Sequence, residues 1–473
     1  MNKRLIGLCL LYLLLGIAVM KAYLAFGVGW DFTAHYISGR YIFSPGFFQT
    51  LKEAGIAGTT SMNFGIVETK SLYFEPYRAP LSILVLGVLS MMAGTYAIPA
   101  YLILMVLLLL MATIYLSESI GTDYLILGSL VVLPYLVIFP FMVNSEEMLS
   151  LSLMMISLAL LRKGRWQSGL VMGLACLSKY TALIFFPILI FAGDRKKIAY
   201  SYIALFLVTA PWLLFNYAAF GNPFFSYLSS IRVSLESTMS SSFSAAALAS
   251  IVAGFVPAIL VLVVIYSKPL KKGISGIKKN IVHAFKWNGN RNFLLIFVFL
   301  MLAALEFLIL GIHESAFDQS RYGYFLFFSL ALVLAYLIST RIQIVPTAYL
   351  KPAIYSLLFA FSAIAMLATI SLIGSHSLEM SYGNSDPAFA SAAVAINKLG
   401  IENCSVVSND WVFLRYYNVK AFSPYSSNKT LSDYPSAVFA YVGTNSSSVT
   451  EYNSETAYKY VNFSIYLPRN YSC

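Results

Sequence analysis

The chain has 473 residues, 59% hydrophobic and only 11% charged, with a mean hydropathy of +0.76. A soluble protein carries about a quarter charged residues, so the composition excludes a soluble globular chain and points to a polytopic membrane protein. The net charge of +11 is spread over short loops between apolar runs, the pattern of cytoplasmic loops, and this excludes a nucleic-acid-binding face.

The N-terminus opens with Lys3 and Arg4 ahead of an apolar run over 5–26. The run is too long for a signal peptide, holds Lys21 and lacks a small-residue cleavage site, so it is expected to be a retained first span starting in the cytoplasm. The polar loop 27–78 is then outside. Further apolar runs follow at 79–94, 97–117, 124–143, 146–161, 167–178, 180–193, 199–215, 245–266, 293–312, 322–340 and 353–373. The basic loops 162–165, 194–197 and 268–291, and the one marked by Arg341 and Lys351, should all face the cytoplasm. They do so only if 79–94, short and opening with Ala79-Pro80, does not cross. The expected fold is mainly α-helical, with about eleven crossings, a non-crossing juxtamembrane helix and an extracytoplasmic C-terminus. The pair 167–178 and 180–193 reads as a hairpin with Lys179 near its outer tip.

Residues 1–374 form the expected transmembrane domain, with 27–78 as its first external loop, and 375–473 a small extracytoplasmic α/β domain. In this tail Asp386 is an expected cap for a helix running to Leu399. Short β-type runs follow at 405–407, 412–417 and 437–442. Five Asn-X-Ser/Thr triplets, at Asn403, Asn428, Asn445, Asn462 and Asn470, all fall here, in agreement with an external tail. Of the four cysteines, Cys9 and Cys176 lie in apolar runs. Cys404 and Cys473 lie in the tail, where an oxidising compartment permits a disulfide.

The ionisable residues at the external ends are few: Asp31, His35, Glu75, Arg78, Glu146, Glu147, Lys179, His313, Glu314, Asp318 and Arg321. Charges at membrane level are costly and tend to mark function. Asp31 and His35 share a face if helical. Of Glu146 and Glu147, one is expected to face the site and the other solvent. His313 and Asp318 read as loop polarity. The chemistry that uses such a set is glycosyl transfer from a lipid-linked donor. A carboxylate takes the proton of an acceptor hydroxyl, and cations hold the leaving phosphate as charge builds on it. Asp31 suits the base, and Arg78, Lys179 and Arg321 the phosphate, with His35, Glu75, Glu146 and Glu147 supporting. No Cys/His metal spacing is present. Asp31 with Glu146 or Glu147 could ligate a divalent ion, but no cofactor is expected.

Four stretches carry a family resemblance. They are 30–36 (WDFTAHY), 73–81 (YFEPYRAPL), 169–182 (GLVMGLACLSKYTA) and Arg321-Tyr322. Together they resemble the GT-C superfamily of polytopic glycosyltransferases, of the protein O-mannosyltransferase, aminoarabinose-transferase and polyprenyl-phosphomannose-dependent type, over roughly residues 1–340. The resemblance implies that Asp31 activates the acceptor, that a non-crossing helix follows the first loop, and that Arg78, Lys179 and Arg321 grip the lipid phosphate. The protein O-mannosyltransferases carry Asp-Glu where this chain has Asp31-Phe32, which counts against protein as acceptor. The oligosaccharyltransferase Trp-Trp-Asp-Tyr-Gly signature is absent, which counts against transfer of a whole glycan. The implied function is inverting transfer of one hexosyl or pentosyl unit from a polyprenyl-phosphate-sugar to a lipid, glycan or protein acceptor on the extracytoplasmic side of the cell membrane. The alternative is a flippase or transporter of lipid-linked glycan; it usually shows an internal repeat, and none is evident here.

Overall fold

The computed structural model describes residues 3–56, 67–68, 72–133, 141–142, 144–238, 255–267, 291–311, 323–344, 350–374, 387–401, 404, 406–408, 411–422, 438–442, 454–460 and 463–468. Arg321, His313, Glu314, Asp318, Asp386, Cys473 and the five glycosylation-type asparagines lie outside them.

The described chain is mostly helical. Helix α1 (Lys3–Phe26) leads into α2 (Trp30–Ile42) and α3 (Phe47–Ile56), so the first polar loop is itself largely helical. A short antiparallel pair, β1 (Val67–Glu68) and β2 (Tyr73–Phe74), precedes α4 (Pro80–Ala93). Pro80 starts α4 where a missing N–H costs nothing. Gly94, at φ 55°, ends it and turns the chain into α5 (Ala97–Ile120). Next come α6 (Tyr124–Val131), α7 (Glu146–Arg162), α8 (Gln167–Ser178), a 3-10 helix (Tyr180–Ala192), α9 (Arg195–Phe220), α10 (Phe225–Thr238), α11 (Val256–Ser267), α12 (Arg291–Glu306), α13 (Tyr324–Ile344) and α14 (Leu350–Gly374).

Among the described residues five stretches are long and apolar enough to cross a membrane: Lys3–Phe26, Pro80–Ile120, Arg195–Phe220, Asn292–Ile309 and Lys351–Ile373. Shorter apolar helices cover Gln167–Ser178, Tyr180–Ala192 and Tyr324–Thr340. Part of the expected crossing count falls on undescribed residues and stays an expectation. Helix α4 is about 21 Å long at 1.5 Å per residue, less than the ~30 Å of hydrocarbon. The 3-10 helix, at about 2.0 Å per residue, reaches about 26 Å, further than an α-helix of the same length.

What sets α2 in place is a backbone contact with α4. A Cβ on Gly39 would sit 2.6 Å from the Ile83 carbonyl oxygen, and one on Gly87 would sit 2.5 Å from the Gly39 carbonyl oxygen. The two helices therefore touch main chain to main chain, as small residues permit between packed apolar helices. The same device joins α8 to α9, where a Cβ on Gly169 would overlap the Ser201 main chain.

The C-terminal segment holds α15 (Pro387–Lys398), β3 (Val406–Ser408), α16 (Trp411–Tyr416), β4 (Ala421–Phe422), β5 (Val438–Val442), β6 (Ser454–Tyr460) and β7 (Phe463–Pro468). Its strands form one mixed sheet in the order β4-β3-β5-β7-β6. One expectation fails here: 412–417 is not a strand. β3 and β4 are parallel neighbours, and a parallel pair needs a crossover connection. The apolar 411–416 stretch supplies that crossover as α16.

Candidate active site

The site lies at the end of α1 that leads into α2. The first turn of α2 is pinned by Gly29 N–H donating to Met142 O at 2.8 Å. Asp31 and His35 follow at helical spacing on one face. His35 is fully buried; its Nδ1 lies 2.7 Å from Ser145 Oγ and its Nε2 3.3 Å from Glu146 Oε1.

Arg78 arrives from the other end of the loop. Residues 75–78 make a turn closed by Arg78 N–H to Glu75 O at 3.1 Å, which brings both side chains to one side. Arg78 Nε donates to Glu75 Oε2 at 3.0 Å and its Nη2 to Asp31 Oδ1. Tyr73 Oη donates to the other oxygen of the fully buried Glu75. Burial works against the Arg78 charge, but the carboxylates of Asp31 and Glu75 outweigh it and hold the guanidinium protonated well beyond its ordinary range. Burial also pushes the Tyr77 phenol well above its ordinary value. Outside this pair, Tyr180 Oη donates to Arg78 O at 3.1 Å, and Trp212 Nε1 donates to Tyr180 Oη at 2.8 Å.

The third contribution comes from α7 and the start of the 3-10 helix. Asn144 Oδ1 accepts from Glu146 N–H at 3.0 Å and caps the turn that opens α7. Glu147 Oε1 accepts from Lys179 Nζ at 2.8 Å. Neither glutamate faces solvent: Glu146 is 6% exposed and Glu147 0%. The expected one-in, one-out division is thus wrong, because His35 and Lys179 each draw one of the two adjacent carboxylates inward. Lys179 is buried as well, at 5%.

The structure thus brings Asp31, His35, Glu75, Arg78, Glu146, Glu147 and Lys179 into one cluster; Arg321 lies outside the described residues. It also adds two residues that sequence reasoning missed. Glu306, at the end of α12, is fully buried. It sits beside Thr181 and within electrostatic reach of Lys179 and Glu147. Tyr324, at the start of α13, places its ring 5.0 Å from Lys179 Nζ. A lone glutamate inside the apolar run 293–312 was the signal available for Glu306.

The cluster pairs the cations Arg78 and Lys179 with a larger number of carboxylates. Such a set can accept protons and orient hydroxyl groups. Among the described residues no group of three or more His, Cys, Asp and Glu side chains is placed to hold a metal ion.

No protein-family model and no curated protein matches the chain. Solved structures do. The oligosaccharyltransferase of Archaeoglobus fulgidus, tethered with an acceptor peptide containing the NVT sequon, is 11% identical with a TM-score of 0.44; the match covers 88% of this chain and 64% of that one. The same enzyme in complex with Zn and sulfate is 12% identical with a TM-score of 0.42, over 91% of this chain and 68% of that one. The archaeal oligosaccharyltransferase AglB from Archaeoglobus fulgidus, in complex with an inhibitory peptide and a dolichol-phosphate, is 12% identical with a TM-score of 0.42, over 91% and 69%. The chain is similar to these structures and spans about two thirds of their length.

Proposed function

We propose that the chain is a membrane glycosyltransferase that moves one hexosyl or pentosyl unit from a polyprenyl-phosphate-sugar to an acceptor on the extracytoplasmic side. The observation that carries this reading is the bond between Asp31 and Arg78, a base and a phosphate-binding cation held in contact at the end of an apolar bundle. Asp31 takes the proton of the acceptor hydroxyl as its oxygen attacks the anomeric carbon. The bond from that carbon to the phosphate oxygen breaks, and the phosphate leaves with the electron pair, so the configuration inverts. Arg78, Lys179 and Arg321 stabilise the charge that builds on the leaving group.

The Asp31–Arg78 pair adds a coupling. The guanidinium holds the Asp31 carboxylate by a hydrogen bond. A guanidinium has five N–H donors, so Arg78 can turn toward an arriving phosphate. The donor then loosens the hold on Asp31 when transfer is due. Because carboxylates outnumber cations in the described cluster, phosphate binding draws on Arg321 as well. Cys404 is disulfide-bonded, as expected of a segment in an oxidising compartment, and this supports an extracytoplasmic tail after a cytoplasmic N-terminus.

The test is release of polyprenyl phosphate from a polyprenyl-phosphate-sugar by the purified protein in lipid nanodiscs, with the acceptor identified by mass spectrometry of glycans lost on deletion. Asp31→Asn transferring sugar at the wild-type rate would remove Asp31 as the base. Movement of the lipid-linked sugar across vesicles with no transfer would favour the flippase.

A further inference from the structure

The C-terminal segment is joined to both arms of the loop that carries Asp31 and Arg78. On the Asp31 side, the Trp30 ring packs edge-on against Trp411, at 4.6 Å between centroids, and against Phe413, at 5.5 Å. On the Arg78 side the contact is Arg415. This arginine is 4% exposed. Its Nε donates to Ala421 O at 2.5 Å within its own segment, and its Nη1 donates to Leu72 O at 3.4 Å across the interface. Its guanidinium lies between two rings, 5.4 Å from the centroid of Tyr73 and 5.2 Å from that of Phe422.

Tyr73 is the residue that bonds Glu75, and Glu75 bonds Arg78. A chain of direct contacts therefore runs from Arg415 through Tyr73 and Glu75 to Arg78 and Asp31. Apolar residues would suffice to glue one segment to another, and burying a guanidinium carries a large desolvation cost. A planar cation in this place does what an apolar residue cannot: it fixes the Tyr73 ring by its face and the backbone of Leu72 by a hydrogen bond at once.

We propose that Arg415 is a positioning residue: it holds Tyr73, and through Tyr73 and Glu75 it sets Arg78 on Asp31. The C-terminal segment thereby completes the site without touching substrate. The phosphate-binding part of this statement rests on the glycosyltransferase reading; the positioning part does not.

The experiment uses the full-length protein in nanodiscs with two readouts: hydrogen exchange of the 72–78 backbone without ligand, and affinity for undecaprenyl phosphate. Arg415→Gln is expected to raise exchange over 72–78 by about tenfold, with α1 and α5 unchanged. It is expected to weaken undecaprenyl phosphate binding by about tenfold. Arg415→Lys, which keeps a cation over Tyr73, should recover part of both. In a Tyr73→Phe background, where the hydroxyl that leads to Glu75 is gone, Arg415→Gln should weaken binding no further. Asn418→Ala removes another contact of the same segment, the 3.2 Å bond from Arg40, and should leave binding unchanged.

Unchanged exchange over 72–78 in Arg415→Gln overturns the proposal, as does a rise in exchange throughout the protein, which makes Arg415 a general fold residue. Additive effects of Arg415→Gln and Tyr73→Phe overturn the route through Tyr73. A wild-type protein that fails to bind undecaprenyl phosphate, with the local exchange change present, overturns the donor reading and leaves the positioning role standing.

Discussion

The two ends of α1 each hold an ion pair, and the pairs are built to different ends. At the Arg4 end, Arg4 Nη1 meets Asp123 Oδ2 at 2.6 Å, with the Arg4 side chain 48% exposed. The same Asp123 caps α6 by accepting from Leu125 N–H at 2.9 Å and accepts from Tyr355 Oη at 3.1 Å. One acid meets one base, and the acid's oxygens bond three separate elements; the result is a staple. At the Asp31 end, carboxylates outnumber cations, most of the groups are buried, and Glu306 adds one more buried carboxylate within reach of Lys179 and Glu147. A surplus of that kind is a cost to folding. It is kept where a bundle handles protons or ligands, and the contrast with the balanced end shows that membrane depth alone does not impose it.

The sharpest way to break this comparison is Asp31→Asn. It should lower turnover by about 10²–10⁴-fold, measured as polyprenyl phosphate release, with little change in thermal unfolding. Lys179→Met should come next, on stability: it strips the cation from the fully buried Glu147 and should cost about 3–5 kcal/mol. Adding Glu147→Gln should restore part of that in a detergent-melt assay, because the carboxylate that Lys179 bonds is then uncharged. Glu306→Gln should leave stability within about 1 kcal/mol of wild type or raise it, since the amide oxygen can still accept from Thr181. A large loss of stability would mean that Glu306 belongs to a satisfied network like that of Asp123. Arg4→Gln should cost about 0–1 kcal/mol, as a half-exposed pair does, and leave turnover untouched. A chelator should change nothing. Loss of turnover that manganese restores would mean that the surplus acid of the Asp31 end serves a divalent cation.

Much of this was legible in the chain itself, for local reasons. Pro80 and Gly94 bracket α4, and α8 ends at Ser178 just before the one lysine that interrupts its apolar run. Asp31, Glu75 and Arg78 stood out because ionisable residues are rare in so apolar a chain. What was not legible depends on contacts between distant elements. Glu147 turns inward because Lys179, from another element, meets it there. Glu306 was read as part of an apolar run, since its neighbours in space are Thr181, Lys179 and Glu147, none of them near it in sequence. Residues 412–417, rich in aromatic and branched side chains, read as a strand. Only the parallel pairing of β3 with β4 requires a helix there.

The contact between Arg415 and Leu72 spans 343 residues, and this imposes a timetable on synthesis. At about 5–20 residues per second, Leu72 is made about 17–70 seconds before the arginine that clamps its neighbourhood. During that interval Asp31, Glu75 and Arg78 are all present, yet the nascent bundle lacks the part that sets their geometry. A chain cut between Arg321 and Arg415 would reach the membrane with its acids and cations intact but without the contact that clamps Tyr73.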